Sequence, residues 1–119
     1  MATHNELGKK GEQLAVEYLQ KKGYKILNRN WRFKKAEVDI IAQKKDVLAV
    51  VEVKTRSTDY FGNPQDFVNQ KKIQLLVEAI NEYVTSKDLD CEVRFDIIAI
   101  LKNKSTFKIE HLKDAFLYF

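Results

Sequence analysis

Three charged side chains lie within the two apolar runs of the stretch EVDIIAQKKDVLAVVEVKTR, which covers residues 37–56. Asp39 falls in the first apolar run, and Glu52 and Lys54 fall at the end of the second. A charged group inside a sheet is costly unless it is paired or binds a metal ion. These three residues are therefore the first candidates for a functional site.

Carboxylates gathered at the mouth of a sheet offer the oxygen ligands that a hard cation such as Mg²⁺ prefers. An ion held by Asp39 and Glu52 can polarise a phosphoryl oxygen and activate a water molecule. An ammonium group at Lys54 can orient that water or offset charge on the phosphorus. The cluster thus suits phosphodiester hydrolysis. The pattern D-x12-E-x-K is short, however, and a structural ion-pair network at a sheet edge is the alternative.

The two apolar runs are predicted to form a β-hairpin, because side chains alternate between the faces of a strand. A two-residue turn at Lys44-Lys45 would place Asp39 opposite Val50, on the face that Glu52 and Lys54 share. A register change of one residue would move Asp39 to the other face. The convergence of the three charges therefore depends on this turn.

Turn and periodicity signals divide the rest of the chain into further elements, with Gly23 ending the first helix. The 119 residues fit one domain, covering residues 1–119. The order helix, three strands, helix and one or two strands predicts an α/β sandwich around a mixed sheet. The predicted helices cover residues 5–22 and 63–86, with a break near Asn69, and the predicted strands cover 24–33, 37–43, 47–55, 92–101 and 107–112.

Two more charged residues lie within the apolar arcs of the predicted helices. Glu12 falls in the buried arc of the first helix and Lys72 in the middle of the second. We expect Glu12 to approach the hairpin cluster. A salt bridge from Glu12 to Lys54 or Lys72 is the structural alternative, and Lys72 could equally extend its ammonium group out of an apolar face.

Composition sets the class of the protein. The formal net charge is +4, which favours an anionic partner. A single cysteine, Cys91, excludes an internal disulfide and a cysteine-based zinc cluster. No signal peptide and no membrane span are expected, because the start is polar and no apolar run is long enough. We therefore expect a soluble, cytoplasmic protein that does not enter a membrane.

Several motifs follow one another along nearly the whole chain: GKKGEQLAVEYLQKKGYKILNRNWR, EVDIIAQ, VVEVKTR, FGNP, VNQKK and RFDIIAI. Together they resemble the YraN-type proteins of bacteria. That family is similar to nucleases of the PD-(D/E)xK, restriction-endonuclease-like type, which include archaeal Holliday junction resolvases. The resemblance implies a three-layer α/β/α sandwich with an αβββαβ core and a central mixed sheet.

The resemblance also implies a site, residue by residue. Asp39 and Glu52 would be the metal-binding acidic residues, with Mg²⁺ or Mn²⁺ as the cofactor. Lys54 would be the motif lysine, Glu12 the helix glutamate and Lys72 the lysine of the following helix. Nucleic acid, more specifically DNA, is the implied substrate.

The resulting hypothesis is a metal-dependent nuclease that hydrolyses branched or single-stranded DNA. The alternative is a catalytically inactive module that binds nucleic acid or a protein. Arg32, Arg56 and Lys72 are candidates for phosphate contacts, and Tyr60 and Phe61 for stacking on unpaired bases. Resolvases of this fold act as dimers, and the apolar tail DAFLYF offers a surface for a homodimer.

Other notable residues are interpreted as structural. Asp96 alternates with isoleucines in RFDIIAI, so we expect it to form a buried pair with an arginine. Trp31 and Tyr24 are expected in the core. His111 has no partner at ligand spacing and is assigned no role.

Overall fold

A computed structural model describes residues 3–56 and 69–115 of the chain. The predicted order of elements is confirmed within these residues. The elements are α1 (Thr3–Lys21), β1 (Lys25–Phe33), β2 (Ala36–Lys44), β3 (Val47–Arg56), α2 (Gln70–Ser86), β4 (Glu92–Asn103) and β5 (Thr106–Leu112).

The helix ends follow local backbone chemistry. Gly23 has a φ of 96°, and the backbone N–H of Tyr24 returns to the Leu19 carbonyl at 2.9 Å. This left-handed glycine ends α1 as predicted. Asn69 begins α2, because its side chain accepts a hydrogen bond from the Lys72 backbone N–H at 2.8 Å. The predicted start of this helix at residues 63–68 lies outside the described residues.

The strands form one five-stranded sheet in the order β1-β2-β3-β4-β5. Strands β3 and β4 are parallel, and the other neighbouring pairs are antiparallel. A parallel pair needs a crossover connection, and α2 lies in the connection between β3 and β4. The prediction of an α/β fold with a mixed sheet is therefore confirmed.

Each face of the sheet packs against one helix. Aliphatic residues of the central strands pack with Ile73, Leu76, Ile80 and Tyr83 of α2 on one face. The opposite face packs with Ala15, Val16 and Leu19 of α1. All of these helix residues except Ile73 belong to the apolar arcs predicted from periodicity. Within residues 3–56 and 69–115, no helix is long and apolar enough to cross a membrane.

The predicted hairpin register was wrong by two residues. Lys44 pairs with Val47 and Gln43 with Leu48, so the turn consists of Lys45 and Asp46. Lys45 adopts a φ of 55° at this turn. The apolar pattern defines only which face each residue takes, and a shift of two residues leaves the faces unchanged. Asp39 is therefore not opposite Val50; one step beyond the Ile40–Val51 pair, it comes level with Glu52.

Candidate functional site

Asp39 lies where β1 and β2 change the faces of their side chains. Ile40 packs on the α1 face, whereas Val38, two residues away, packs on the α2 face. Regular alternation would place both on one face. Across the ladder, Asn30 stands between the partners of these residues and has a φ of 52°, which asparagine tolerates better than most residues. This irregularity leaves the Asp39 carboxyl group at the boundary between the two faces.

The Asp39 carboxyl group is partly buried and carries an unusual proton affinity. Its Oδ2 atom accepts a hydrogen bond from the backbone N–H of Val53 at 2.8 Å. Burial and the nearby charge of Glu52 raise the pKa of Asp39 to about 7, against the lowering effect of that hydrogen bond and of Lys72. A carboxylate in this position gains free energy from a nearby cation.

Glu52 provides a second, more deeply buried carboxylate. Its exposed fraction is only 6%, and it lies on β3, in line with Val50, where the chain packs towards α2. Lys72 of α2 forms an ion pair and hydrogen bond with its Oε2 atom. Lys54 Nζ lies 3.6 Å from the same oxygen. Lys72 therefore points into the site, and both predicted lysines approach the predicted metal ligand Glu52.

Glu12 approaches Asp39 from the opposite helix, α1. Its Oε1 atom accepts hydrogen bonds from Arg29 at 3.0 Å and from Asn30 at 3.1 Å. Sequence reasoning missed both partners, although two polar residues preceding Trp31 in the motif NRNWR were the available signal. The two β1 side chains hold the Glu12 carboxylate beside the strand irregularity.

Two clefts meet at Asp39. The first, here called the α1 cleft, has a volume of about 520 Å³ and is lined by residues that include Gly8, Glu12, Asp39, Lys54 and Arg56. The second, the α2 cleft, has a volume of about 400 Å³; Asp39, Glu52 and Lys72 are among its lining residues. The predicted constellation is therefore brought together around Asp39, with Glu12 and Glu52 on different sides.

The predicted nucleic-acid contacts are placed unequally. Arg56 lines the α1 cleft, and its Nη1 atom donates to the Thr55 carbonyl at 2.9 Å. Arg32 lines neither cleft and instead pairs with Glu37 at 3.5 Å in an exposed position. Tyr60 and Phe61 lie outside the described residues, as does the end of the apolar tail.

The donor set fits a magnesium-type ion. In the part of the chain that the structure describes, no three histidine, cysteine or acidic side chains form a ready metal cage. Mg²⁺ usually keeps several waters and binds through one or two carboxylates, so Asp39 and Glu52 match its ordinary demand. Burial and the neighbouring charge of Glu52 raise the pKa of Asp39, and a nearby cation would lower it.

A second polar cluster lies away from this site. Asp96 has no exposed surface and accepts two hydrogen bonds from Arg94 at 2.9 Å, so the predicted arginine pair is confirmed. His111 Nε2 also lies 2.8 Å from Asp96 Oδ2, and the Tyr18 hydroxyl lies 3.1 Å from His111 Nδ1. This role of His111 was not predictable from the sequence, because its partner lies on a neighbouring strand.

Comparison with known proteins agrees with the motifs. The model of a family described as "Uncharacterised protein family UPF0102" matches residues 11–100. A UPF0102 protein of Flavobacterium psychrophilum is 66% identical over 119 residues, covering 100% of both chains. A UPF0102 protein of Phocaeicola vulgatus is 47% identical over 116 residues, covering 98% of this chain and 96% of the relative. The chain therefore belongs to the UPF0102 family, the YraN-like group that its motifs resemble.

Proposed function

We propose that the protein is a metal-dependent nuclease with a restriction-endonuclease-like fold that hydrolyses phosphodiester bonds in DNA. The observation that carries this proposal is the pair of carboxylates, Asp39 and Glu52, with Lys54 at 3.6 Å from Glu52. Asp39 lines both clefts and Glu52 lines the α2 cleft, just beyond the Ile40–Val51 pair at which the β2–β3 ladder ends. A partly buried carboxyl group whose pKa is raised by burial and by a neighbouring charge, as that of Asp39 is, is characteristic of a functional site.

Asp39 and Glu52 are the residues that would hold Mg²⁺, or Mn²⁺ in its place. When bound, the ion supplies Lewis-acid activation of the phosphodiester and of the attacking water. Lys54 then has the role of placing that water or offsetting charge on the phosphorus. Glu12, held by Arg29 and Asn30, assists from the α1 side. Arg56 supplies a guanidinium group for a phosphate.

The lysines have a second role in the metal-free protein. Lys72 and Lys54 both approach Glu52 Oε2, where they offset a charge that would otherwise be buried alone. Ammonium groups in this position compensate Glu52, while the pKa of Asp39 stays raised. The proposal therefore expects the cation to act chiefly on Asp39.

The order of elements supports the restriction-endonuclease-like assignment. A helix, three antiparallel-paired strands, a crossover helix and a strand parallel to the third correspond to the αβββαβ core that the resemblance implies. Within that class, branched or single-stranded DNA is the proposed substrate, in the manner of a Holliday junction resolvase.

A cleavage assay tests the proposal. Labelled branched, flapped, single-stranded and duplex DNA are incubated with the protein and Mg²⁺ or Mn²⁺. Cleavage of at least one substrate is expected, together with its loss in Asp39→Asn and Lys54→Met. Asp46→Asn, which changes an exposed carboxylate in the turn of the same hairpin, is the matched control. Equal cleavage by all four proteins would assign the activity to a contaminant.

The ion pairs of Glu52 favour one second candidate, a catalytically inactive module that binds nucleic acid or a protein. In that case Asp39, Glu52, Lys54 and Lys72 form a structural network, and the protein neither cleaves DNA nor responds to Mg²⁺. Wild-type protein that binds DNA but leaves every substrate intact with either metal would select this candidate.

A further inference from the structure

Helix α1 contains two glycines, Gly8 and Gly11, and packing among the described residues explains only Gly11. Apart from proline, glycine is the least favourable residue in the interior of a helix. A Cβ atom at Gly11 would lie 1.9 Å from Thr55 Oγ1, so the close approach of α1 to β3 requires glycine there. A Cβ atom at Gly8 would meet no atom of the described residues within 4 Å. Packing against those parts of the protein therefore does not account for Gly8.

Gly8 lies in the wall of the α1 cleft. It is four residues before Glu12, so the two residues share one face of the helix, one turn apart. Lys9, Lys54 and Arg56 line the same cleft and give it three cationic groups. The bare stretch of helix backbone thus borders a cleft that carries both positive charge and the carboxylates of the proposed site.

Because no described atom fills the space beside Gly8, a ligand can approach the helix backbone closely there. The cationic side chains that line the same cleft suit the phosphates of a nucleic-acid backbone. The cleft volume of about 520 Å³ falls within the range of volumes found for small-molecule binding pockets. A short segment of one nucleic-acid strand is of this size.

We propose that one unpaired phosphodiester strand crosses the α1 cleft and that its sugar–phosphate backbone lies against α1 at Gly8. This inference rests on the proposed function, because it names the path of the substrate to Asp39. It makes Gly8 a positioning residue, whose missing side chain leaves room for the strand.

Substitution of Gly8 separates stability from binding. Gly8→Ala should raise the thermal midpoint, because alanine is the better helix former, and should weaken binding. Gly8→Leu should weaken binding at least about tenfold while remaining folded. Binding is measured by fluorescence anisotropy, in buffer with EDTA, with labelled single-stranded DNA and with RNA of the same sequence. Gln20→Leu places the same side chain at an exposed position on α1 outside the cleft and should bind as the wild type does.

The outcomes distinguish this inference from the proposed function. If Gly8→Leu binds nucleic acid as tightly as the wild type does, the proposed path of the strand along α1 is wrong, and the nuclease proposal is unaffected. A fall in the thermal midpoint of Gly8→Ala also overturns the proposed path, since it would show that Gly8 packs against the protein itself. No binding of either nucleic acid by the wild type, even at low salt, counts against the proposed function. Loss of both DNA and RNA binding in Gly8→Leu supports a site for the shared backbone, and loss of one alone assigns the strand.

Discussion

In the absence of a metal ion, the charge of the Asp39 carboxyl group lowers the stability of the fold, although the same charge is the one that we propose to bind the metal. Burial and the Glu52 charge raise its pKa from 3.8 to about 7, so the folded protein binds this proton more tightly than the unfolded chain does. Ionisation of Asp39 therefore lowers the free energy of unfolding as pH rises from about 4 to 7. A group with this property is expected where function, and not stability, determines the residue.

Asp39→Asn removes the ionisation and keeps an oxygen that accepts from the Val53 N–H. In buffer with EDTA, the variant should melt close to the wild type near pH 4 and several degrees above it at pH 8. A few millimolar Mg²⁺ should raise the midpoint of the wild type at pH 8, because a ligand that binds only the folded state stabilises it. The same addition should leave the variant unchanged. Melting curves at both pH values provide the measurement.

The opposite result would favour the structural network. A variant that melts below the wild type at pH 8, together with a wild type insensitive to Mg²⁺, means that Asp39 takes part in stabilising ion pairs. Removing one partner of a buried ion pair costs about 3–5 kcal/mol, so the two interpretations differ in sign and are separable.

Substitution of Lys72 tests how much its ion pair with Glu52 contributes to the stability of the fold. Lys72→Met leaves Glu52, whose side chain is only 8% exposed, with Lys54 as its remaining described ion-pair partner. We expect a loss of about 1.5–3 kcal/mol in the free energy of unfolding, which is the net contribution of a hydrogen bond to a charged group. The neighbouring Lys71→Met is the control and should stay within about 0.5 kcal/mol, as exposed substitutions do. Urea denaturation measures both, and equal values would show that the Lys72 pair contributes nothing.

Residue types and strand parity were sufficient to select Asp39, Glu52 and Lys54 from the sequence. Their hydrogen-bond partners were not predictable in the same way. Arg29 and Asn30 reach Glu12 only because β1 lies at the sheet edge beneath α1, and this neighbourhood is a property of the assembled fold. The change of side-chain faces at Asn30 depends on its positive φ. An asparagine can adopt this conformation but does not have to, so the sequence alone does not predict it.

At the scale of elements, Gly11 determines how closely α1 lies over β3. Gly11→Ala would place a methyl group 1.9 Å from Thr55 Oγ1, so the helix or the strand must move. We expect a loss of about 1–3 kcal/mol, typical of overpacking, although alanine favours the helix. Chemical denaturation of Gly11→Ala, Thr55→Ala and the double variant measures it. Partial recovery in the double variant is expected; additive effects would contradict the contact.

Asp96 links β4 to β5 and to the segment that follows. Besides Arg94 and His111, it accepts a hydrogen bond from the Asp114 backbone N–H at 3.0 Å. Burial alone would raise the pKa of Asp96, but the hydrogen bonds from His111, Arg94 and Asp114 hold it below its usual range. A lowered pKa stabilises the fold above the pKa of the unfolded chain, about 3.9. That stabilisation is lost as pH falls through the pKa of the folded protein.

Asp96→Asn should therefore lose about 3–5 kcal/mol at neutral pH, as when a buried ion pair loses one partner. The difference from the wild type should shrink below about pH 4 as the wild-type carboxylate takes up its proton. Asp90→Asn, at an exposed position before β4, is the control. Unfolding free energies from pH 2 to 7 test this, and a difference that stays constant into acid would contradict the charged state of Asp96.

Element order was predictable because Gly23, the polar turn and the apolar runs each mark a boundary by local chemistry. The hairpin register was not, since Lys44-Lys45 and Lys45-Asp46 give the same pattern of buried faces. The observed register differs from the predicted one by two residues because the turn is formed by Lys45 and Asp46, with Lys45 at a φ of 55°. Had the error been one residue, the candidate site would have been assigned to the wrong face.

At the scale of the whole molecule, the two helices cover opposite faces of one sheet and leave their clefts meeting at its irregular hairpin. The site is therefore reachable from both sides, with Asp39 common to both clefts. The sequence predicted the sandwich from element order and the cluster from parity. It did not predict two clefts, because these depend on how the two helices pack on the assembled sheet.

The distribution of charge over the molecule gives a prediction about salt. The net charge is +4, and Lys9 and Arg56 line the α1 cleft together with Lys54, which lies against Glu52. Binding in which Lys9 and Arg56 each neutralise one phosphate of a single strand releases counterions. The logarithm of the binding constant should therefore fall against the logarithm of salt concentration with a slope of about −1.4. Lys9→Gln should reduce the magnitude of this slope by about 0.7, the share of one phosphate contact on a single strand.

Lys108→Gln, at an exposed position of β5 outside both clefts, carries the same change in net charge and should leave the slope near its wild-type value. Anisotropy titrations of labelled single-stranded DNA over a salt series measure all three proteins. If Lys9→Gln and Lys108→Gln change the slope equally, the attraction comes from the overall charge, and the α1 cleft does not hold the strand.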